Sequence, residues 1–521
     1  MRLPFAGFDD IETEEIAAVH CSSSKMHRSR ATFREFLVAG VGEFIPSFIP
    51  MPCYLQNLIR KYVSATISAV IMGLALGWPS PMFRKLTEHS LSDNPIGQVI
   101  VESEQSWINS VLAIGGFFGP FAAGFLADRH GRKLTLMLSA LVHVAGWVML
   151  LQAASVALMI GARFVLGFGS GCILVTLPMY VGEIASDQYR GMLGSFLQIG
   201  QTIGILYVYC IGPYVGYYAF QWICCAVPIL FMIFFGYMPE TPHYFVSKGL
   251  YQQATVSLMY LRDASADEIQ PELQAVKQFL QREEQQKNSN AVKKLFTEAV
   301  NLKALAISFS LISLQQWTGI DCILSNSELI FDKAQISLSA DVSTIIMGTI
   351  QVACCCVTLM FVDRVGRKPV LMSSALGLTV ALTLLGFYFL MQNMDVEQQY
   401  ISWIPLTGMV GFIAAFNFGF GPVPWAIAAE IFAHDVKAIG NTINVSVSWI
   451  LDFLALRFFL LISESFGYQW AFWIFAIICA LAFLFTMFFV LETKGLSLQE
   501  IQKRLGRKPE QDESNGTQGS L

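Results

Sequence analysis

Two stretches of the chain carry nearly the same charged motif. GFLADRHGRK (124–133) and MFVDRVGRKP (360–369) both contain Asp-Arg-x-Gly-Arg-Lys. Glycine suits the tight turn such a motif needs, here Gly131 and Gly366. An Asp at a helix end, Asp128 or Asp363, can pair with a nearby Arg or accept bonds from a helix N-terminus. The arginines on offer are Arg129 and Arg132 in the first copy and Arg364 and Arg367 in the second. A basic pair after an apolar run could merely anchor topology, but two copies at matching positions point to two related halves. A second correspondence follows each copy. PMYVGEIASDQYRG (178–191) and PWAIAAEIFAHDVKAIG (424–440) each set an acid seven residues before a base, Glu183 with Arg190 and Glu430 with Lys437. Wetted ion pairs are individually weak, so such a network could form and release as a gate. The plainer alternative is a set of static surface pairs.

Within the apolar runs, long polar side chains are few: Gln198, Gln315, Gln316, Gln351 and Asn417, with Trp425 nearby. Their amides could bond hydroxyls directly or tie one helix to another. Arg163 is a charge inside an apolar run, costing about 3 kcal/mol if central. Asp321 and Asp452 are acids in the same region.

The elements that must position these groups are membrane helices. Of 521 residues, 54% are hydrophobic and 14% charged, where a soluble protein carries about a quarter charged. Twelve apolar runs are long enough to cross a bilayer: 62–81, 106–126, 134–153, 155–178, 191–211, 217–238, 303–325, 343–362, 370–391, 402–429, 438–461 and 468–491. Lys and Arg number 28 in the tails and alternate loops and 3 in the others, which places both termini in the cytosol. Residues 1–61 hold no long apolar run and no cleavable leader is expected; they read as a cytosolic segment. The polar stretch 239–302 reads as a cytosolic helical linker domain dividing a six-helix bundle, 62–238, from a second, 303–491. The tail 492–521 reads as cytosolic and partly disordered. The eleven cysteines lie mostly inside apolar runs, so no disulfide framework is expected, and no metal site, because no His lies near Cys354-Cys355-Cys356. No nucleotide loop, metal cluster or nucleophile triad suggests an enzyme or a cofactor.

The chain resembles the sugar porters of the major facilitator superfamily, in its insect trehalose-transporter-like and glucose-facilitator branches. The resemblance runs from about residue 62 to 500. Beside the two loops it rests on ARFVLGFGSG (162–171), PMYVGEIA with Arg190-Gly191, PETP (239–242), QQWTGI (315–320), GFGPVPW (419–425) and ETKG (492–495). It implies an all-α membrane protein of twelve transmembrane helices in two pseudo-symmetric six-helix bundles, which rock about a midplane site. It also implies facilitative transport of a hexose or a disaccharide such as trehalose, across the plasma membrane, by a monomer with no nucleic-acid partner. By position it implies a sugar site at Gln198, Gln315, Gln316, Asp321, Gln351 and Trp425. The cytosolic gate it implies comprises Asp128, Arg129, Arg132, Arg163, Glu183, Arg190, Glu240, Asp363, Arg364, Arg367, Glu430, Lys437 and Glu492. Arg163 is expected toward the cytosolic end of its helix.

The departures from the family pattern cluster at the site. Asp321 stands where the family has Asn, Ser325-Asn326 where it has an aromatic pair, and Gln351 where it has Asn. In the eleventh run Ser448-Trp449 and Asp452 replace Asn-Trp and a later Asn, and Lys437 replaces Arg. PETPH carries His243 for Arg, and Leu491 stands for the Pro before ETKG. The helix 1 Asp of proton-coupled relatives is Pro79 here. Uniport is therefore the first expectation. A proton-coupled or non-sugar small-solute carrier using Asp321 and Asp452, or a non-transporting sugar sensor, stays open.

Overall fold

The computed structural model describes residues 53–87, 94–185, 196–286, 291–335, 338–394, 396, 401–433, 436–496 and 498–506. The chain divides into two units, 1–63 and 64–521, and the site lies in the second. Residues 1–52, Arg190 and the tail from Arg507 lie outside the described residues.

Ten helices among the described residues are long and apolar enough to cross a membrane. They are α1 (Ser64–Thr87), α2 (Glu102–His130), α3 (Arg132–Leu151), α4 (Val156–Ile184), α6 (Tyr217–Phe235), α8 (Ala340–Val365), α9 (Arg367–Asn393), α10 (Ile404–Ile431), α11 (Lys437–Phe466) and α12 (Tyr468–Phe489). Two more complete the twelve. Of α5, the described part is Phe196–Ile211. α7, residues 299–333, comes in three pieces, Ala299–Gln316, Ile320–Ser325 and Ser327–Lys333, each too short to span alone. The first interruption is at Gly319, whose φ of 82° favours glycine. A Cβ there would also meet the Phe475 ring at 2.4 Å. α1 breaks at Trp78 before Pro79, and α10 contains a π turn at Phe416–Phe420 ahead of Pro422 and Pro424. The result is an all-α membrane fold of two pseudo-symmetric six-helix bundles, α1–α6 and α7–α12.

Both copies of the charged motif sit between antiparallel neighbours, α2/α3 and α8/α9, and so share one end of the bundle, the loop end. Inside the first half α2 and α4 pack through glycines. A Cβ on Gly115 or Gly167 would come within 2.0 or 1.9 Å of the other helix's backbone. In lipid, where no hydrophobic effect drives helices together, such close approach supplies the attraction. Across the halves α2 meets α11 and α5 meets α8, with the Trp449 indole packed against Gly116. Apolar side chains such as Phe125, Ile477 and Phe488 point outward, as a lipid-facing surface requires.

The linker forms helices Pro242–Ser247, Tyr251–Arg262, Ala266–Gln286 and Ala291–Thr297, with a small core of Val246, Ala254 and Val276. Arg262 clasps Glu272 with two bonds of 2.6 and 3.0 Å and donates to the Ile184 carbonyl at 2.9 Å. The linker is thereby fastened to the last residue of α4. A helix at Leu498–Leu505 closes the other half, where Gln502 Nε2 donates to the Ile431 carbonyl at 2.7 Å.

Candidate transport site and gates

At the loop end the repeated motif builds the same device twice. In the first half Arg132 Nε donates to Glu183 Oε1 at 2.9 Å, and the Thr241 hydroxyl donates to Glu183 Oε2 at 2.6 Å. In the second half Arg367 Nη2 donates to Glu430 Oε1 at 3.1 Å. The arginine of each loop thus reaches the acid at the end of the helix two further on. The seven-residue spacing pointed to Arg190 and Lys437 as partners. Arg190 lies outside the described residues, and Lys437 opens α11 half-buried. The chain turn after α2 and α8 brings Arg132 and Arg367 alongside Glu183 and Glu430.

A second acid completes each device. Glu240 accepts from the backbone N–H groups of Arg132 (3.0 Å), Lys133 (3.0 and 3.1 Å) and Thr241 (2.9 Å). Glu492 accepts from Arg367 (3.0 Å), Lys368 (3.0 Å) and Lys494 (2.9 Å). Each carboxylate therefore caps the N-terminus of the helix after the loop, where free N–H groups and the helix dipole favour an anion. Gly131 (φ 99°) and Gly366 (φ 114°) make room for it: a Cβ would lie 2.1 Å from a Glu240 oxygen or 2.9 Å from a Glu492 oxygen. Burial pushes the Glu240 carboxyl up, against the pull of its N–H donors. At Glu492 burial acts the same way, but the N–H groups of Lys494, Arg367 and Lys368 outweigh it and the carboxyl is held low.

The motif's own Asp does less. The Asp128 carboxylate is 77% exposed and 3.8 Å from Arg132, so the helix N-terminus goes to Glu240. Arg129 is exposed and lies over the Phe125 ring. Asp363 and Arg364 fall in the last turn of α8, and their side chains are outside the description.

Arg163 is a correction. It lies two turns into α4, at the end opposite the loops, and about 30 Å of helix separates it from Glu183. It is fully buried, donates to the Ile108 carbonyl at 3.2 Å and the Ala75 carbonyl at 2.5 Å, and lies over the Trp78 ring. Asp452 is near enough for the two charges to interact. Arg163 therefore ties α4 to α1 and α2 at the far end and takes no part in the loop-end network.

Midway along the bundle the amides meet broken helices. Gln315 Nε2 donates to the carbonyls of Phe420 and Gly421 at 2.7 and 2.8 Å. Pro424 has no N–H to offer Phe420 four residues back, so Gln315 supplies the missing donor. Its Oε1 is buried without a partner. Gln316 and Asp452 of α11 both lie close enough to the Asp321 carboxyl to interact with it. Gln351 is buried with its Oε1 unpartnered, and Gln198 and Trp425 are half-buried. Asn417 donates to the Ile413 carbonyl at 2.9 Å and keeps its oxygen unpartnered. Sequence reasoning passed over Asn444, both of whose amide atoms are buried without partners. Its signal was available: Asn444, Ser448 and Asp452 recur every four residues and share one face of α11.

A family model for sugar (and other) transporters matches residues 51–505. The chain belongs to this transporter family. Within the sugar transporter family, it is 29% identical over 454 residues to the facilitated trehalose transporter Tret1 of Polypedilum vanderplanki, covering 87% of this chain and 89% of that one. It is 28% identical to Tret1-1 of Drosophila simulans, again over 87% of this chain but only 52% of the relative. Among solved structures it superimposes on the inward-open xylose transporter XylE from E. coli with a TM-score of 0.71 at 23% identity, covering 86% of this chain and 99% of that one. A partially occluded inward-open form of the same protein gives 0.70 at 24%. Those likenesses show the major facilitator fold. Membership makes the chain a multi-pass membrane transporter and not an enzyme.

Proposed function

We propose that the chain carries a hexose or a disaccharide such as trehalose down its gradient, its two halves rocking about a central site. The observation that carries this is the duplicated loop-end device. Each Arg–Glu pair and each capped helix is built within its own half, so the loops can close against or part from each other without dismantling either. The relatives named as facilitated trehalose transporters support the substrate class. In this reading Gln198, Gln315, Gln316, Asp321, Gln351 and Trp425 hold the sugar, with Asn444 added. The unpartnered oxygens of Gln315, Gln351 and Asn444 would accept hydrogen bonds from sugar hydroxyls, since a buried polar atom left unbonded is costly. Asp128, Arg129, Arg132, Glu183, Arg190, Glu240, Asp363, Arg364, Arg367, Glu430, Lys437 and Glu492 make the cytosolic gate. The loop end and both termini face the cytosol, the membrane is the plasma membrane, and a monomer of two bundles (62–238 and 303–491) with the linker 239–302 suffices.

A second reading rests on Asp321 and Asp452, two acids in contact with Arg163 close by. A proton shared by that pair would couple transport to pH. Purified protein in sealed vesicles, tested with labelled glucose and trehalose, separates the two. Saturable uptake indifferent to a pH gradient is expected. Uptake driven by an inward proton gradient and lost in Asp321→Asn would install the second reading, and uptake of neither sugar would remove both.

A further inference from the structure

At the far end several side chains join the two halves at one short stretch of α7, beside the α2–α11 contacts that Ser106 and Trp107 make with Arg457. The Tyr209 hydroxyl (α5) donates to the Leu324 carbonyl at 2.7 Å, and Asn109 Nδ2 (α2) donates to the Ser325 hydroxyl at 2.9 Å. The Ser80 hydroxyl (α1) meets the Ser327 hydroxyl at 2.9 Å and accepts from the Glu328 N–H at 3.2 Å. One turn beyond, Arg84 Nη1 lies 3.1 Å from Glu328 Oε1 and 2.5 Å from Asp341 Oδ1 at the start of α8. Residues 324–328 are where an aromatic pair was expected and Ser325-Asn326 stands.

We propose that the Arg84–Glu328–Asp341 triad is the far-end gate of this carrier, an ionic latch across the halves. The proposal rests on the alternating-access reading for the idea that this end opens. Its physics is that of a balanced lock. Burying a carboxylate costs nearly what its partner returns, so closing and opening can lie close in free energy. The side chain of Glu328 is only 2% exposed while those of Arg84 and Asp341 are 34% and 24% exposed, and Glu328 Oε2 is buried without a partner. Opening would hydrate Glu328 and break its pair together. Without Arg84 the closed state holds an unpaired buried carboxylate, which only opening can wet.

The test is amide hydrogen exchange of the full chain in lipid nanodiscs, where both ends meet solvent and no substrate is needed. In Arg84→Gln, exchange in Pro79–Thr87 and Ser327–Lys333 should rise several-fold, while exchange around Gly131 and Gly366 falls as the loop end closes. Asp341→Asn, at a half-exposed position, should do the same more weakly and serves if Arg84→Gln fails to fold. Arg84→Glu combined with Glu328→Arg and Asp341→Asn should return both ends toward the parent pattern. Unchanged far-end exchange in Asp341→Asn, or a rise at both ends alike in every variant, would overturn the latch. Because no uptake is read, a mistaken substrate leaves this outcome untouched.

Discussion

Gln315 shows how a residue chosen for one chemistry also performs another. Its amide nitrogen is spent on two carbonyls of α10, and only its oxygen is left to face a ligand. Gln315→Leu should cost about 1–3 kcal/mol through the orphaned Phe420 carbonyl, read as a lower unfolding temperature in detergent. An unchanged temperature would mean another donor serves that carbonyl. Sequence exposed this amide because polar groups are scarce in apolar runs. It could not show the partner, since the missing Pro424 N–H lies more than a hundred residues away. Arg163 was misplaced for a similar reason: membership in a motif says nothing about depth, although counting from the start of α4 would have. Arg163→Lys should lower stability by about 1–3 kcal/mol through lost donors. Its effect should add to that of Glu183→Gln, because sites this far apart do not couple. Strong non-additivity in a double-mutant cycle would return Arg163 to the loop-end network.

The helices after the repeated loops owe their starts to acids that follow other helices. Glu240 and Glu492 do equivalent work with opposite shifts, which gives each half its own pH signature. Glu492 is held low, so its contribution is complete above its unfolded value, about 4.3, and is lost as pH falls through its lower folded value. The stability gap between the parent and Glu492→Gln should therefore close only below about pH 4. Glu240 is raised, so its ionised form weighs against the fold at neutral pH and that cost disappears as pH falls through its folded value. The parent should gain on Glu240→Gln as pH falls from neutrality toward the ordinary Glu value, about 4.3. Thermal unfolding across pH checks both, and matching profiles for the two variants would refute the difference. These acids stood out in PETP and ETKG as members of a motif. Their partners are backbone N–H groups, which have no letter in the sequence.

Across the whole molecule, ion pairs within a half hold the loop end and contacts between halves hold the far end. Arg132→Ala and Arg367→Ala should each slow uptake several-fold while leaving the other half's pair intact. Equal slowing by loss of the Lys133 side chain, which donates to the Gly236 carbonyl and not to Glu183, would deny the arginines their role. Twelve spans, two halves and the repeated loop were legible in the sequence, because hydropathy and internal repetition are one-dimensional signals set by the bilayer and by duplication. α7 was legible as apolar but not as broken, since Gly319 accommodates Phe475 of α12. Which arginine meets which glutamate, where Arg163 sits and that Arg84 spans the halves were decided only by the tertiary structure. Contacts between charges depend on distance through space, and the helices that bring them together are fixed by packing that no local spacing records.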